Sequence, residues 1–219
     1  MEREIDLLIN YPKSKRNVDE RGATKTEEDR ELARQFGKDF FDGERKNGYG
    51  GFNYDPRFWQ PVVPTLQKYW SLTSESSILD VGCAKGFMMH DFMELIPGIT
   101  VKGIDISEYA IAHTIEDTKP HVQAGNALCL PFNDKSFDVV VSINTLHNLG
   151  KEECAKALQE IERVSRGKSF VTVDAYRNEE ERTRMYDWNL TAKTIMSVKD
   201  WVDFFKGIGY TGDYYWFIP

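Results

Sequence analysis

The chain has 219 residues, room for one ordinary domain plus an extension rather than two full domains. Hydrophobic residues make up 41% and charged residues 29%, a globular composition that excludes collagen-like or wholly disordered chains. The net charge of −7 removes the positive field that supplies non-specific affinity for nucleic acid, so a nucleic-acid substrate is disfavoured.

The longest apolar runs, such as Val139–Val141 and Trp216–Ile218, fall far short of the roughly 18 apolar residues of a membrane-spanning helix. The N-terminus, Met1-Glu2-Arg3-Glu4-Ile5-Asp6, has no apolar core of a secretory signal, and a cytoplasmic protein is expected. Cys83, Cys129 and Cys154 are widely spaced with no CxxC pair, which argues against a disulfide framework and against a zinc site.

Residues 1–70 read as an N-terminal arm or lid and residues 71–219 as the main domain. Up to about Asn47 the arm is crowded with charges of alternating sign. Thr26-Glu27-Glu28-Asp29 offers a cap and first-turn carboxylates, and Leu32, Phe36, Phe40 and Phe41 fall near helical spacing. One amphipathic helix over 26–41 is predicted, its Phe face packing on the main domain or gating a substrate. The segment from Gly48 to Trp59 holds three glycines and many aromatics. Such a backbone can approach a ligand closely, and Tyr49, Tyr54, Arg57 and Trp59 are the residues expected to contact an acceptor. Pro56 opens a helix through Phe58, Val62, Val63, Leu66 and Tyr69, its regularity restricted by Pro61 and Pro64.

From Ser77 onward short apolar runs alternate with helical periodicity. Strands are predicted over 78–81, 100–104, near Val122, over 137–142, over 169–173 and in 213–219. Helices are predicted over 87–96, 108–117 and 151–165, and a capped amphipathic helix after Ser197 that ends at glycine. This alternation argues for an α/β fold with a doubly wound, mainly parallel sheet of six or seven strands. Ligands of such sheets bind at the carboxyl ends of the strands.

Ile78-Leu79-Asp80-Val81-Gly82-Cys83-Ala84-Lys85-Gly86-Phe87 is a strand, a small-residue turn and a helix start. A dinucleotide fingerprint requires GxGxxG, and counting from Gly82 puts Ala84 and Phe87 at the second and third glycine positions. A P-loop requires Gly-Lys-Ser or Gly-Lys-Thr, which the turn lacks. The segment resembles motif I of the class I S-adenosylmethionine (SAM) dependent methyltransferases, with Ala84 for the middle glycine. Gly103-Ile104-Asp105-Ile106-Ser107 is similar to motif II, Gly125-Asn126-Ala127-Leu128-Cys129-Leu130-Pro131-Phe132 to the third, and Ser142-Ile143-Asn144-Thr145-Leu146-His147 to the loop after the fourth strand.

Over residues 77–174 the resemblance is to the broad group that includes ubiquinone and menaquinone methyltransferases. It implies a Rossmann-like fold and SAM as cofactor, with S-adenosylhomocysteine as product. It also implies methyl transfer to an oxygen or nitrogen of a small-molecule acceptor by in-line displacement, which needs alignment, desolvation and, for a hydroxyl, a base. The implied cofactor residues are Asp80, Gly82, Cys83, Ala84, Gly86, Phe87, Asp105, Ile106, Asn126, Ala127 and Asn144. Asp105 would accept from the ribose hydroxyls, though it also suits the cap of the helix that follows, and Asn126 stands where the family has an adenine-binding Asp. His147 and Tyr176 are the catalytic candidates, with His147 able to serve either as a base or as a loop anchor. Arg57 also suits the methionine carboxylate of the cofactor. The loop after strand four lacks the prolines of nucleobase amino methylases, and no Asp/Asn cluster suggests a catalytic metal.

One strand remains after the last helix where the family usually has two, the second antiparallel. The sheet therefore has six strands, or the arm covers its edge. A nucleotide-dependent oxidoreductase and a SAM-binding module without turnover are the competing readings, and a homo-oligomer is compatible with all three.

Overall fold

A computed structural model describes residues 3–13, 18–48 and 52–219. Among the described residues five short helices precede the first strand, α1 (Val18–Thr24), α2 (Glu27–Ala33), α3 (Lys38–Asp42), α4 (Pro56–Trp59) and α5 (Val63–Trp70). The main domain then runs β1 (Ser77–Val81), α6 (Phe87–Leu95), β2 (Thr100–Asp105), α7 (Glu108–Ala112), β3 (Val122–Ala124), β4 (Val139–Ile143), α8 (Lys151–Val164), β5 (Ser169–Tyr176), α9 (Glu179–Trp188), β6 (Met196–Ser197), α10 (Val198–Ile208) and β7 (Asp213–Phe217). Strands pair in the order β3-β2-β1-β4-β5-β7, all parallel, and β6 adds two residues beside the end of β5.

The central strands read as continuous apolar runs because both faces are covered. On one face α8 and α10 bury Leu158, Ile161, Trp201 and Phe205, and on the other α5 and α6 bury Leu66, Met89 and Phe92. α8 buries Cys154, Ala157, Leu158, Ile161 and Val164, the spacing of a single helical stripe. α10 is capped by the Ser197 hydroxyl, which accepts from the Asp200 amide, and stops at Gly209 in the left-handed region (φ 74°).

The described strands include no antiparallel seventh, and the arm takes the edge of β7. Ile5 N–H donates to the Tyr214 carbonyl (3.0 Å) and Tyr214 N–H to the Arg3 carbonyl (2.9 Å). Backbone groups that would template another chain are thereby satisfied.

Four sequence expectations are corrected. The helix predicted over 26–41 is two, α2 and α3, because Phe36 turns left-handed (φ 49°) and Gly37 restarts the chain. The helix predicted through Trp59 into Val63 breaks at Gln60–Val62, where the prolines remove backbone donors. The helix over 108–117 ends at Ala112; Ile115 N–H is diverted to the Lys85 carbonyl (3.0 Å), and a 3₁₀ turn follows over Glu116–His121. β5 extends to Tyr176, and α9, unpredicted, follows; α9 buries only Met185, too little to give a periodic signal. Among the described residues no helix is long and apolar enough to cross a membrane.

Candidate functional site

The turn from β1 to α6 alternates left-handed residues: Gly82 (φ 90°), Ala84 (φ 48°) and Gly86 (φ 77°). Ala84 thus adopts a conformation that suits glycine at the position where the family pattern has one. Gly82 and Cys83 N–H both donate to the Ile104 carbonyl, at 2.7 and 3.1 Å, which clamps the turn to the end of β2.

Asp105 closes β2 and is 8% exposed. One of its carboxylate oxygens accepts from Ala84 N–H (2.8 Å) and the other from Ser107 N–H (2.8 Å). The helix cap is Ser107, whose hydroxyl accepts from Ala110 N–H (3.0 Å). A carboxylate offers about four lone-pair positions, so two remain for further donors. Burial pushes the Asp105 carboxyl above the usual range.

Asp80, in the middle of the buried strand, is pushed up to about 8 by burial and by the neighbouring Asp105 charge. Its folded value lies above the unfolded one, so folding retains a proton that the unfolded chain has lost. The stability this supplies is fully present below about pH 4 and is lost as pH rises through about 8. Asp80→Asn should therefore gain stability relative to the parent between pH 5 and pH 9. Urea unfolding at both values checks this; an equal difference at the two would contradict it.

The predicted cofactor residues converge on adjacent strand ends. Asp80, Gly82, Cys83, Ala84, Gly86 and Phe87 belong to β1 and its turn, Asp105 and Ile106 to the end of β2, Asn126 and Ala127 to the segment after β3, and Asn144 to the segment after β4. Ile106, Asn126 and Asn144 are exposed and Ala127 is half-buried. The Asn126 side-chain oxygen accepts from Leu128 N–H (2.9 Å). Asn144 is left-handed (φ 52°); its N–H donates to the Thr172 hydroxyl oxygen (2.9 Å), and its side-chain oxygen accepts from that hydroxyl (2.9 Å).

The catalytic candidates sit just after β4 and at the last residue of β5. His147 is buried, and its Nδ1 accepts from Asp174 N–H (3.0 Å). That bond leaves the neutral ring's proton on Nε2, which makes Nε2 a donor, and burial lowers the imidazole's affinity for a second proton. Asn189 donates to the Asp174 carboxylate (3.0 Å), and Trp201 Nε1 donates to the Asp174 carbonyl (2.9 Å). Tyr176 is half-buried and pairs with Ser197 of β6.

The acceptor candidates meet different partners. Tyr54 lies against α6, its hydroxyl donating to Asp91 (2.6 Å) and its ring meeting Phe87 and His90. Arg57 is exposed and pairs with Asp55 (2.8 Å) over the Phe58 ring, and Trp59 sets its ring edge-on to Tyr11. Tyr49 lies outside the described residues.

Sequence reasoning missed Lys85. It is buried within the turn, its ammonium pairing with Asp42 of α3 and donating to the Phe52 carbonyl (2.8 Å). A lysine amid small residues was the available signal, but its partners lie about 40 residues away in an arm of unknown placement. The arm's Phe40 and Phe41 are buried with Ala110 and Leu190, and Phe36, Ala84 and Tyr109 pack against them. The Ser107 hydroxyl also donates to the Phe36 carbonyl. A cleft of about 350 Å³ lies alongside, lined by Asp42, Tyr54, Lys85, Phe87 and His113 among others.

Residues 79–173 match the sequence model of a family described as a methyltransferase domain. The tRNA (carboxymethyluridine(34)-5-O)-methyltransferase of Arabidopsis thaliana is 32% identical over 148 residues, which are 66% of this chain and 34% of that protein. An uncharacterized Haemophilus influenzae protein is 34% identical over 99 residues, 42% of this chain and 39% of its own. The chain thus spans little more than a third of the curated relatives it matches. Among solved structures, the YcgJ protein of Bacillus subtilis aligns with a TM-score of 0.55 at 19% identity over 67% of this chain and 66% of its own. The [4+2]-cyclase SpnF aligns with a TM-score of 0.55 at 19% identity over 73% and 59%; at such identities the likeness is one of fold. With four motifs in order along strand ends that the sheet brings side by side, these matches support a methyltransferase domain of the class I SAM-dependent type over residues 79–173.

Proposed function

We propose that this domain binds SAM across the carboxyl ends of β1 to β4 and directs its methyl group to an oxygen nucleophile that arrives already ionised, a carboxylate of a small molecule. The observation that carries the cofactor half is Asp105, fixed by two backbone donors with lone pairs left for the ribose hydroxyls. Bound SAM supplies an electrophilic methyl group on a positively charged sulfur. Asn126 is the residue for the adenine amino group, and the β1–α6 turn and Asn144 are those for the methionine end.

The acceptor half rests on His147. With Nδ1 engaged by the Asp174 amide, the ring presents a donor, which suits holding an anion better than removing a proton. A carboxylate needs no base. His147 is then a positioning residue, and Tyr176 is proposed to face the acceptor.

The Arabidopsis relative's name favours a second reading, a carboxymethyl group carried on a tRNA nucleotide. The chemistry is the same, but the net charge of −7 opposes a polyanion.

Calorimetry with S-adenosylhomocysteine, SAM and NAD is the first test, and micromolar binding of the first two alone is expected. Radiolabelled SAM offered with small carboxylic acids, sugars and tRNA then reports the acceptor. An alkali-labile methyl ester is expected, and His147→Gln should lower kcat by less than the ~100-fold that loss of a general base costs. A base-stable ether or methylamine product would overturn the carboxylate reading. Failure of folded protein to bind either adenosyl ligand would overturn the whole.

A further inference from the structure

Away from the strand ends, α6 and the 3₁₀ turn over 116–121 assemble an unusual group. His90 and Glu94 are one helical turn apart, and with Asp91 each offers a ligand atom, all within 4.8 Å of one another. Asp117 accepts at 2.6 Å from His90 Nδ1, which in the neutral ring leaves Nε2 unprotonated, 3.6 Å from the Glu94 carboxylate. Two electron-rich atoms facing each other at that distance call for a cation between them. Asp91 adds a second demand: its residue is 0% exposed, one oxygen accepts from Tyr54 (2.6 Å), and the other, fully buried, has no partner among the described residues. Neither lysine nor arginine pairs with Asp91, Glu94 or Asp117 among the described residues.

We propose that His90, Asp91 and Glu94 form a zinc-type divalent metal site, with Asp117 orienting the histidine. One imidazole nitrogen and two carboxylates are a borderline donor set that suits Zn²⁺ better than the all-oxygen shells of Ca²⁺ or Mg²⁺. A carboxylate on the far nitrogen of a ligating histidine is the usual outer partner of such sites. The separation of His90 Nε2 and Glu94 Oε2 is close to the ~3.4 Å expected between two ligands of a tetrahedral ion at about 2.1 Å from each. The ion would also brace the arm, because Tyr54 bonds Asp91 and Gln60 donates to Glu94 (3.0 Å).

The chelator-stripped 219-residue chain, titrated with Zn²⁺ by calorimetry and scanned by thermal unfolding with and without Zn²⁺, tests this site without reference to SAM. Binding of about one ion per chain at micromolar or lower Kd is expected, with a raised Tm. His90→Gln and Glu94→Gln should each weaken binding at least ~10-fold and remove the Tm shift, and Asp117→Asn should weaken it ~10-fold. Glu94 is half-exposed, so its variant keeps the test valid should the His90 variant fold poorly. No binding by the parent chain, or binding unchanged in Glu94→Gln, would overturn the proposal.

Discussion

Gly82→Ala is expected to destabilise the chain by about 2–5 kcal/mol and to abolish SAM binding. Two costs add. The left-handed backbone at φ 90° costs a residue with a Cβ about 1–2 kcal/mol, and forcing an atom into a packed space costs about 1–3 kcal/mol more. The new Cβ would lie 2.1 Å from the Thr145 hydroxyl oxygen and 2.7 Å from its Cβ. Thr145 has little freedom to withdraw, since its hydroxyl donates to the Ile143 carbonyl (3.1 Å) and its own carbonyl accepts from Asn148 N–H (3.0 Å). Gly82 is held in turn by the Ile104 carbonyl. Relief must therefore move the β1–α6 turn itself, the part proposed to hold the cofactor. Gly167, also left-handed (φ 106°) but with nothing within 4 Å of its would-be Cβ, separates the two costs. Gly167→Ala should lose only the backbone cost of about 1–2 kcal/mol and keep full affinity. Urea unfolding and calorimetry with S-adenosylhomocysteine on both variants check the pair. Equal behaviour of the two would contradict the close contact with Thr145.

Asp105→Ala should weaken S-adenosylhomocysteine binding by ~30–150-fold, the value of two hydrogen bonds of about 1–1.5 kcal/mol each. It should also cost stability, since Ala84 and Ser107 N–H lose the acceptors that hold them in a buried place. Asp105→Asn separates the two contributions. It keeps one acceptor oxygen but points an N–H₂ group at one of two backbone donors, so it should lose stability while retaining part of the affinity. Affinity within twofold of the parent in Asp105→Ala would remove Asp105 from the cofactor site.

The main domain was legible where burial on both faces turns a strand into an apolar run, as at Ile78–Val81 and Val139–Ser142, and where glycine marks a turn. The doubly wound sheet, the strand ends and the order of the motifs followed from that. The arm was not legible, because its positions are set by partners far along the chain. Phe36 turns the arm where helical spacing alone would have carried it straight on, and Lys85 finds Asp42 across some forty residues. α9 escaped notice for the opposite reason, having almost no buried face. His147 was visible as a histidine at the right edge, but its role turns on which nitrogen meets the Asp174 amide. Periodicity carries no information about that bond. The acceptor candidates Tyr54, Arg57 and Trp59 were grouped by proximity in sequence, which carries no information about their partners: Tyr54 bonds Asp91 of α6, Arg57 pairs with Asp55 and Trp59 meets Tyr11.

Ser107 joins two features that otherwise look separate. Its amide is held by Asp105, and its hydroxyl holds the Phe36 carbonyl of the arm. The docking of the arm and the geometry around Asp105 thus share one residue, and their free energies are linked. A ligand at Asp105 that shifted Ser107 would alter the hold on the arm, and a partner that lifted the arm would then alter affinity at Asp105 by the same factor. Displacement of the N-terminal segment on ligand binding, read by hydrogen exchange at Phe36 to Phe41, would reveal such a coupling.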